Sequence, residues 1–287
     1  MERRLAFGKR TYIMGILNIT PDSFSGDGLM VEQDQINAAL SQAEDFIESG
    51  VDILDIGGES TRPGAQAVTA AEEMERIVPV IKALRSNGVS IILSVDTYKA
   101  QVAKAALDAG ADWINDVWGF QADDQLAVVA ANARVPVILM HNRSKPNQVA
   151  LQERLGGRYI GVPYENLLED IIRELMVSVN IARSAGVSDD NIILDPGIGF
   201  GKTVEQNLVI VNKLDEIKSL GFPVLLGPSR KSFIGYTLDL PTSERLEGTL
   251  AVCAVGIIRG ADILRVHDVR QVVRLANMTD AIVRNQD

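Results

Sequence analysis

Two periods of apolar residues take turns along this chain. Short continuous apolar runs are followed by stretches in which apolar residues recur every three or four positions, and the pair repeats to the C-terminus. The first run, residues 12–17, ends at Asn18; residues 34–49 then carry Ile36, Leu40, Ala43 and Ile47 at helical spacing, and Gly50 stops the helix. Further runs at 52–56, 90–95, 113–114, 137–140, 192–194, 224–226 and 263–266 read as strands covered on both faces. Helices are predicted at 99–109, 164–185, 243–259 and 270–283, and through Leu208, Val211, Leu214 and Ile217. Another follows a Thr69–Glu72 capping box, with Met74, Ile77, Ile81 and Leu84 on one face and Pro79 as a kink. The 243–259 helix is apolar almost all round and reads as buried. Residues 142–163 read as a long irregular piece.

Strands that alternate with helices imply a parallel sheet. Eight such units imply a single α/β domain over residues 1–287, a (β/α)8 TIM barrel, with an open doubly wound sheet as the alternative. Long loops rich in Gly, Pro and Ser follow the first two strands, at 19–31 and 57–68, and are expected to be mobile until a ligand orders them. In either fold the carboxyl ends of the strands form the binding face, so the polar residues there matter. They are Asn18, Asp55, Asp96, Asn115, His141, Asp195, Lys231, Arg265 and His267. Singly, each has an ordinary reading: a strand-end Asp or Asn as turn former or helix cap, His141 as a satisfied core residue, and Lys202 as a solvated charge. A barrel would bring the set to one mouth.

Asp195 ends its strand because Pro196 has no N–H for the ladder, and Gly197, Gly199 and Gly201 leave room for a flat ligand. The following GIGFGKT is not a nucleotide phosphate loop, since Pro196 stands where its first glycine is required, and GxGxG is not the dinucleotide spacing.

Composition narrows the field. The 287 residues are 46% hydrophobic and 23% charged, as in soluble globular proteins. A net charge of −10 without any Lys/Arg-rich run argues against nucleic acid, and an anionic ligand would need local cations. Cys253, the sole cysteine, lies in an apolar run and reads as a buried inert thiol. No apolar run reaches membrane-spanning length and no signal peptide is evident, so a cytoplasmic protein is expected.

Two loops carry specific motifs, Asn18-Ile-Thr-Pro-Asp-Ser-Phe-Ser25 and Asp55-Ile-Gly-Gly-Glu-Ser-Thr-Arg-Pro-Gly64. With Ser94-Val-Asp-Thr97, Ile114-Asn-Asp116, Leu139-Met-His141, Leu194-Asp-Pro-Gly197, Ser229-Arg-Lys-Ser232 and Arg265-Val-His-Asp268, they closely resemble the dihydropteroate synthase family, in order and over nearly the whole chain. One departure lies in the first loop, where the family's SFSDGG reads Ser23-Phe-Ser-Gly-Asp-Gly28 and leaves Asp27 as the displaced acid.

The resemblance implies a transferase that joins 6-hydroxymethyl-7,8-dihydropterin diphosphate to 4-aminobenzoate with Mg²⁺, commonly as a homodimer. It implies that Asp195, Asp96 and Asn115 hold the pterin edges, with Lys231 at its ring and Met140 and Phe200 packed beside it. Arg265, His267, Arg62 and Thr61 would take the diphosphate, and Asn18 both the diphosphate and the metal. Phe24, Thr61, Pro63, Lys231 and Ser232 would line the aminobenzoate slot. Lys231, Arg265, Asp96 and Asp195 would carry catalysis. Two other readings remain open: a pterin-binding methyltransferase serving a corrinoid partner, which needs no Arg-Val-His or Ser-Arg-Lys-Ser segment, and a non-catalytic pterin-binding protein.

Overall fold

Each of the eight expected runs forms a strand. The computed structural model describes residues 5–20, 32–60, 64–65, 67–145, 148–152 and 154–284. In chain order its strands are β1 (Tyr12–Asn18), β2 (Ile53–Gly57), β3 (Ile92–Asp96), β4 (Trp113–Asp116), β5 (Val137–Met140), β6 (Val149–Gln152), β7 (Gly156–Tyr159), β8 (Ile192–Asp195), β9 (Leu225–Leu226) and β10 (Ile263–Val266). All but β6 and β7 join one sheet in the order β8-β5-β4-β3-β2-β1-β10-β9. Its two ends meet through a parallel bridge between Leu194 and Val224, where the Leu194 N–H donates to the Pro223 carbonyl at 2.9 Å. The sheet therefore closes into a (β/α)8 barrel, and the open-sheet alternative falls.

Ten helices are described: α1 (Glu32–Glu48), α2 (Ala70–Ser86), α3 (Ala100–Asp108), α4 (Asp124–Ala133), α5 (Leu167–Ala185), α6 (Val204–Asn212), α7 (Leu214–Lys218), α8 (Ser232–Leu238), α9 (Leu246–Ile258) and α10 (Val269–Val283). Strand side chains alternate between two cores. Leu54, Leu93, Ile114, Leu139 and Leu264 face outward, under the helices. Tyr12, Met14, Ile53, Ile92, Trp113 and Ile193 face inward and fill the lower barrel, with Leu5 and Phe7 packed against them. The inward faces then turn polar toward the carboxyl ends. Ile53 is followed by Asp55, Ile92 by Ser94 and Asp96, Trp113 by Asn115, Ile193 by Asp195, and Ile263 by Arg265.

Several local expectations change. Residues 142–163 contain the antiparallel hairpin β6–β7. Helix α4 was not foreseen; it starts at Asp123, whose carboxylate accepts from the Gln125 N–H, and buries Leu126, Ala127 and Ala130. Helix α8, directly after Lys231, was also missed. The helix read through Leu208 and Ile217 divides into α6 and α7 at Lys213. Only half of the Thr69 capping box is made: Thr69 Oγ1 accepts from the Glu72 N–H at 3.2 Å, while the Glu72 carboxylate pairs with Arg76. Helix α2 continues through Pro79 from Ala70 to Ser86. Helix α9 is buried on one face only, since Ile258 is 59% exposed.

Candidate active site

Asp55, predicted near the end of its strand, lies inside the barrel with no solvent exposure. Its Oδ2 accepts from Asn115 Nδ2 at 2.9 Å and from Arg265 Nε at 2.6 Å. Arg265 Nη2 donates to Asp96 Oδ2 at 2.5 Å. Asp55, Asp96, Asn115 and Arg265, from four strands, thus form one hydrogen-bonded cluster. Burial opposes charge on Arg265, yet Asp55 and Asp96 outweigh it and hold its proton more firmly than usual. Burial pushes the Asp96 carboxyl up, against the pull of Arg265.

Asp195 lies across the barrel, paired in register with Met140. Its Oδ1 accepts from the Gly197 N–H at 2.7 Å, which opposes but does not cancel the upward shift that burial imposes. The chain then turns through Gly197, Gly199 and Gly201, all at positive φ. A Cβ on Gly197 would fall 1.8 Å from the His141 carbonyl, so the turn lies directly on the end of β5. It presents Phe200, which clusters with Met140 and Val117 and stacks on Tyr159 of the hairpin at a centroid distance of 5.8 Å. Lys231 Nζ stands 4.1 Å above the Phe200 ring. Burial lowers Lys231 to about 8, helped by Arg265 and opposed by Asp195 and Asp96.

Lys231 is aimed by its neighbours. Arg230 holds a left-handed φ of 53°, strained for a residue with a Cβ. The strain is balanced by Arg230 Nε and Nη2 on the Asp268 carboxylate at 2.9 and 2.6 Å, and by the Arg230 N–H on Thr249 Oγ1 at 3.0 Å. Ser229 Oγ lies 2.9 Å from His267 Nδ1, which ties the Ser-Arg-Lys-Ser segment to the end of β10. Ser232 begins α8 and is half-buried. Asn18 ends β1, and a Cβ built on Gly57 would lie 3.8 Å from its Oδ1 and 3.7 Å from Asp96 Oδ2. The expected Asn18, Asp96, Asn115, Met140, Asp195, Phe200, Lys231, Ser232, Arg265 and His267 therefore belong to one barrel mouth. Phe24, Asp27, Thr61, Arg62 and Pro63 lie outside the described residues.

Sequence reasoning missed three things here. Lys202 is not a solvated charge; it is 3% exposed, and burial lowers it to about 7 against the pull of Asp195. Asp55 belongs to the Arg265 cluster, and the period-two pattern of β2 held that signal, because Ile53, Asp55 and Gly57 share one face. Tyr159 reaches the site from a hairpin in which no alternation was visible. His141, read as a satisfied core histidine, is one: it is buried between Lys202 and Glu174.

Comparison with known proteins places this architecture. The model of the family described as pterin binding enzyme matches residues 14–267. The chain is 52% identical over 284 residues to the dihydropteroate synthase of Clostridium beijerinckii, covering 99% of this chain and 98% of that one. The solved dihydropteroate synthase of Clostridium difficile in the presence of pteroic acid matches with a TM-score of 0.89 at 45% identity, over 98% of this chain and 100% of that one. The Xanthomonas albilineans dihydropteroate synthase with 4-aminobenzoic acid matches with a TM-score of 0.86 at 37% identity, over 97% and 94% of the two chains.

Proposed function

The chain belongs to the dihydropteroate synthase family of pterin-binding enzymes, transferases of folate biosynthesis, and on that premise we propose that it joins 6-hydroxymethyl-7,8-dihydropterin diphosphate to 4-aminobenzoate. The products are 7,8-dihydropteroate and diphosphate. The observation that supports this reading best is a mouth with two chemically different sides. Asp195, with Met140 and Phe200 beside it, suits a flat ring with paired N–H donors, because a carboxylate accepts two in parallel. Asp96 and Asn115 take the remaining pterin edges, and Lys231 approaches the ring over Phe200. Arg265 and His267, with Thr61 and Arg62 from the second loop, receive the diphosphate.

The difficult step is cleavage of the carbon–oxygen bond. Diphosphate departs with the bonding electron pair, and the dihydropterin ring spreads the positive charge left on its exocyclic methylene. The neutral amine of 4-aminobenzoate then attacks that carbon and releases a proton to solvent. No strong general base is needed, so these residues act by holding fixed charges around the reacting centre. Phe24, Thr61, Pro63, Lys231 and Ser232 line the aminobenzoate slot on this reading.

The residue that fits Mg²⁺ is Asn18, whose amide oxygen lies at the end of β1 beside Gly57 and is the hard donor such a cation prefers. Among the described residues no cluster of three or more His, Cys, Asp or Glu could hold a metal ion. A site with so few protein donors suits an ion that keeps waters and substrate phosphates as ligands. Bound there, Mg²⁺ would neutralise charge on the leaving diphosphate.

A homodimer fits the outer surface. Helices α6, α9 and α10, which pack side by side, leave Leu208 42%, Ile258 59%, Met278 63% and Ile282 67% exposed, apolar side chains that a second copy of the chain would cover. A cytoplasmic setting accords with the free, buried Cys253. No described helix is long and apolar enough to cross a membrane. The deciding experiment incubates the pure protein with Mg²⁺, pterin diphosphate and 4-aminobenzoate. Dihydropteroate and diphosphate in equal amounts are expected; absence of both overturns the reading.

A further inference from the structure

Lys202 has no part in the recognition scheme above, yet it is buried at the foot of the site. Its Nζ lies 2.8 Å from the Gly197 carbonyl, 3.0 Å from the Phe200 carbonyl and 3.0 Å from His141 Nδ1. The two carbonyls can only accept. The far side of the imidazole decides what His141 Nδ1 can do. His141 Nε2 faces Glu174 Oε2 at 3.0 Å, and Arg143 Nε in turn donates to that carboxylate at 2.9 Å. Burial lowers His141 to about 3, helped by Lys202, so the ring is neutral and carries one N–H. An ionised Glu174 can only accept, so the proton sits on Nε2 and Nδ1 offers its lone pair. Three acceptors thus surround Lys202. An ammonium has three N–H groups to match them, and a neutral amine has two.

The two carbonyls belong to the turn that shapes the pterin side of the mouth. The same turn sets the Gly197 N–H against Asp195 and the Phe200 ring beneath Lys231. Asn207 Oδ1 anchors it once more, accepting from the Gly199 N–H at 2.6 Å. We propose that Lys202 is a positioning residue for the pterin: the chain Glu174–His141–Lys202 holds the carbonyls of Gly197 and Phe200, and so fixes Asp195 and Phe200 in one geometry toward the ring. The inference rests on the reading that the pterin occupies the Asp195 side of the mouth.

The test is Lys202→Met, which keeps the apolar stem and removes the donors. The KM for pterin diphosphate should rise at least about tenfold, while the KM for 4-aminobenzoate at saturating pterin diphosphate moves by less than about twofold. An unchanged pterin KM, or an equal rise in both, overturns the proposal. Nitrogen NMR on histidine-labelled protein gives a second readout that needs no variant, and it is simple because the chain has only two histidines. The wild type should show His141 protonated at Nε2 and bare at Nδ1. A proton on Nδ1 overturns the proposal even if Lys202→Met does not fold. Calorimetry separates the two readings. A wild-type chain that binds no pterin brings down both; equal pterin affinity in wild type and Lys202→Met, with binding lost in Asp195→Ala, brings down this one alone.

Discussion

Asp55 uses one oxygen for two tasks. By accepting from Asn115 Nδ2 it leaves the amide oxygen of Asn115 as the end free to meet a ligand donor, and by accepting from Arg265 Nε it sets the tilt of the guanidinium. The near-isosteric Asp55→Asn should therefore weaken both a pterin lacking diphosphate and inorganic diphosphate, each by about 1.5–3 kcal/mol, the range for hydrogen bonds to charged groups. In an Asn115→Ala background it should add little to the pterin loss, and additive losses in calorimetry would show that Asp55 acts elsewhere. Lys231 sets a pH limit. Its folded pKa is lowered to about 8, so its charge is present below that pH and lost as pH rises through it. The kcat/KM for pterin diphosphate, which reports groups on the free enzyme, should fall as pH rises through the values of Lys202, about 7, and Lys231, about 8; Lys231→Ala should lose the part of the fall near pH 8 and keep the part near pH 7. At this scale Asp96, Asn115 and Asp195 were legible because each ends an apolar run, and Arg265 because it interrupts one. Lys202 was not, because nothing in the spacing of three glycines says that the turn folds back onto the end of β5 and buries the lysine next to Gly201.

Elements were legible in proportion to their periodicity. Strand β5 was read to the residue, and β1 and β2 to within one, while the hairpin β6–β7 was lost. Its segment holds Gly156, Gly157 and Arg158 and packs on helix α8 rather than on the main core, so no apolar alternation marks it. Helix α4 was lost for a related reason: its buried face relies on alanine, which gives a weak signal. What docks the hairpin is Arg245, buried to 2% exposure, which donates to the carbonyls of Leu155 at 2.8 Å, Leu240 at 3.1 Å and Arg230 at 3.1 Å. One guanidinium thereby joins the hairpin that carries Tyr159 to the segment that carries Lys231. Arg245→Met takes the donor from one buried and two part-buried carbonyls and should cost on the order of 2–4 kcal/mol in urea unfolding, since an unsatisfied buried acceptor costs about 1–3 kcal/mol and water can reach the part-buried ones. A loss under about 1 kcal/mol would mean that water replaces the guanidinium without penalty.

For the whole molecule, strand and helix alternation was enough to give the barrel, and inward polarity was enough to locate its working end. The exposed apolar face was not legible, because α9 reads as buried from sequence and turns out to be covered on one side only. Charging that face with Ile258→Lys and Ile282→Lys should yield a monomer by light scattering with the barrel's circular dichroism intact; a monomeric wild type would remove the dimer from the proposal. The barrel's closure has a further consequence. Seven of its eight seams are laddered, and the eighth is the single bridge of Leu194 to Val224. That seam runs between β8, which ends in Asp195, and β9, which leads to Lys231. The least-stitched seam of the barrel therefore passes through the middle of the candidate site. Breathing along it should appear as faster amide exchange at Leu194, whose N–H crosses the seam to the Pro223 carbonyl, than at Leu54 and Leu93. A pterin held by Asp195 on one bank and Lys231 on the other would act as the missing rung, and protection should then rise first at the seam: on the proposed function, the ligand would close the ring that the backbone leaves almost open.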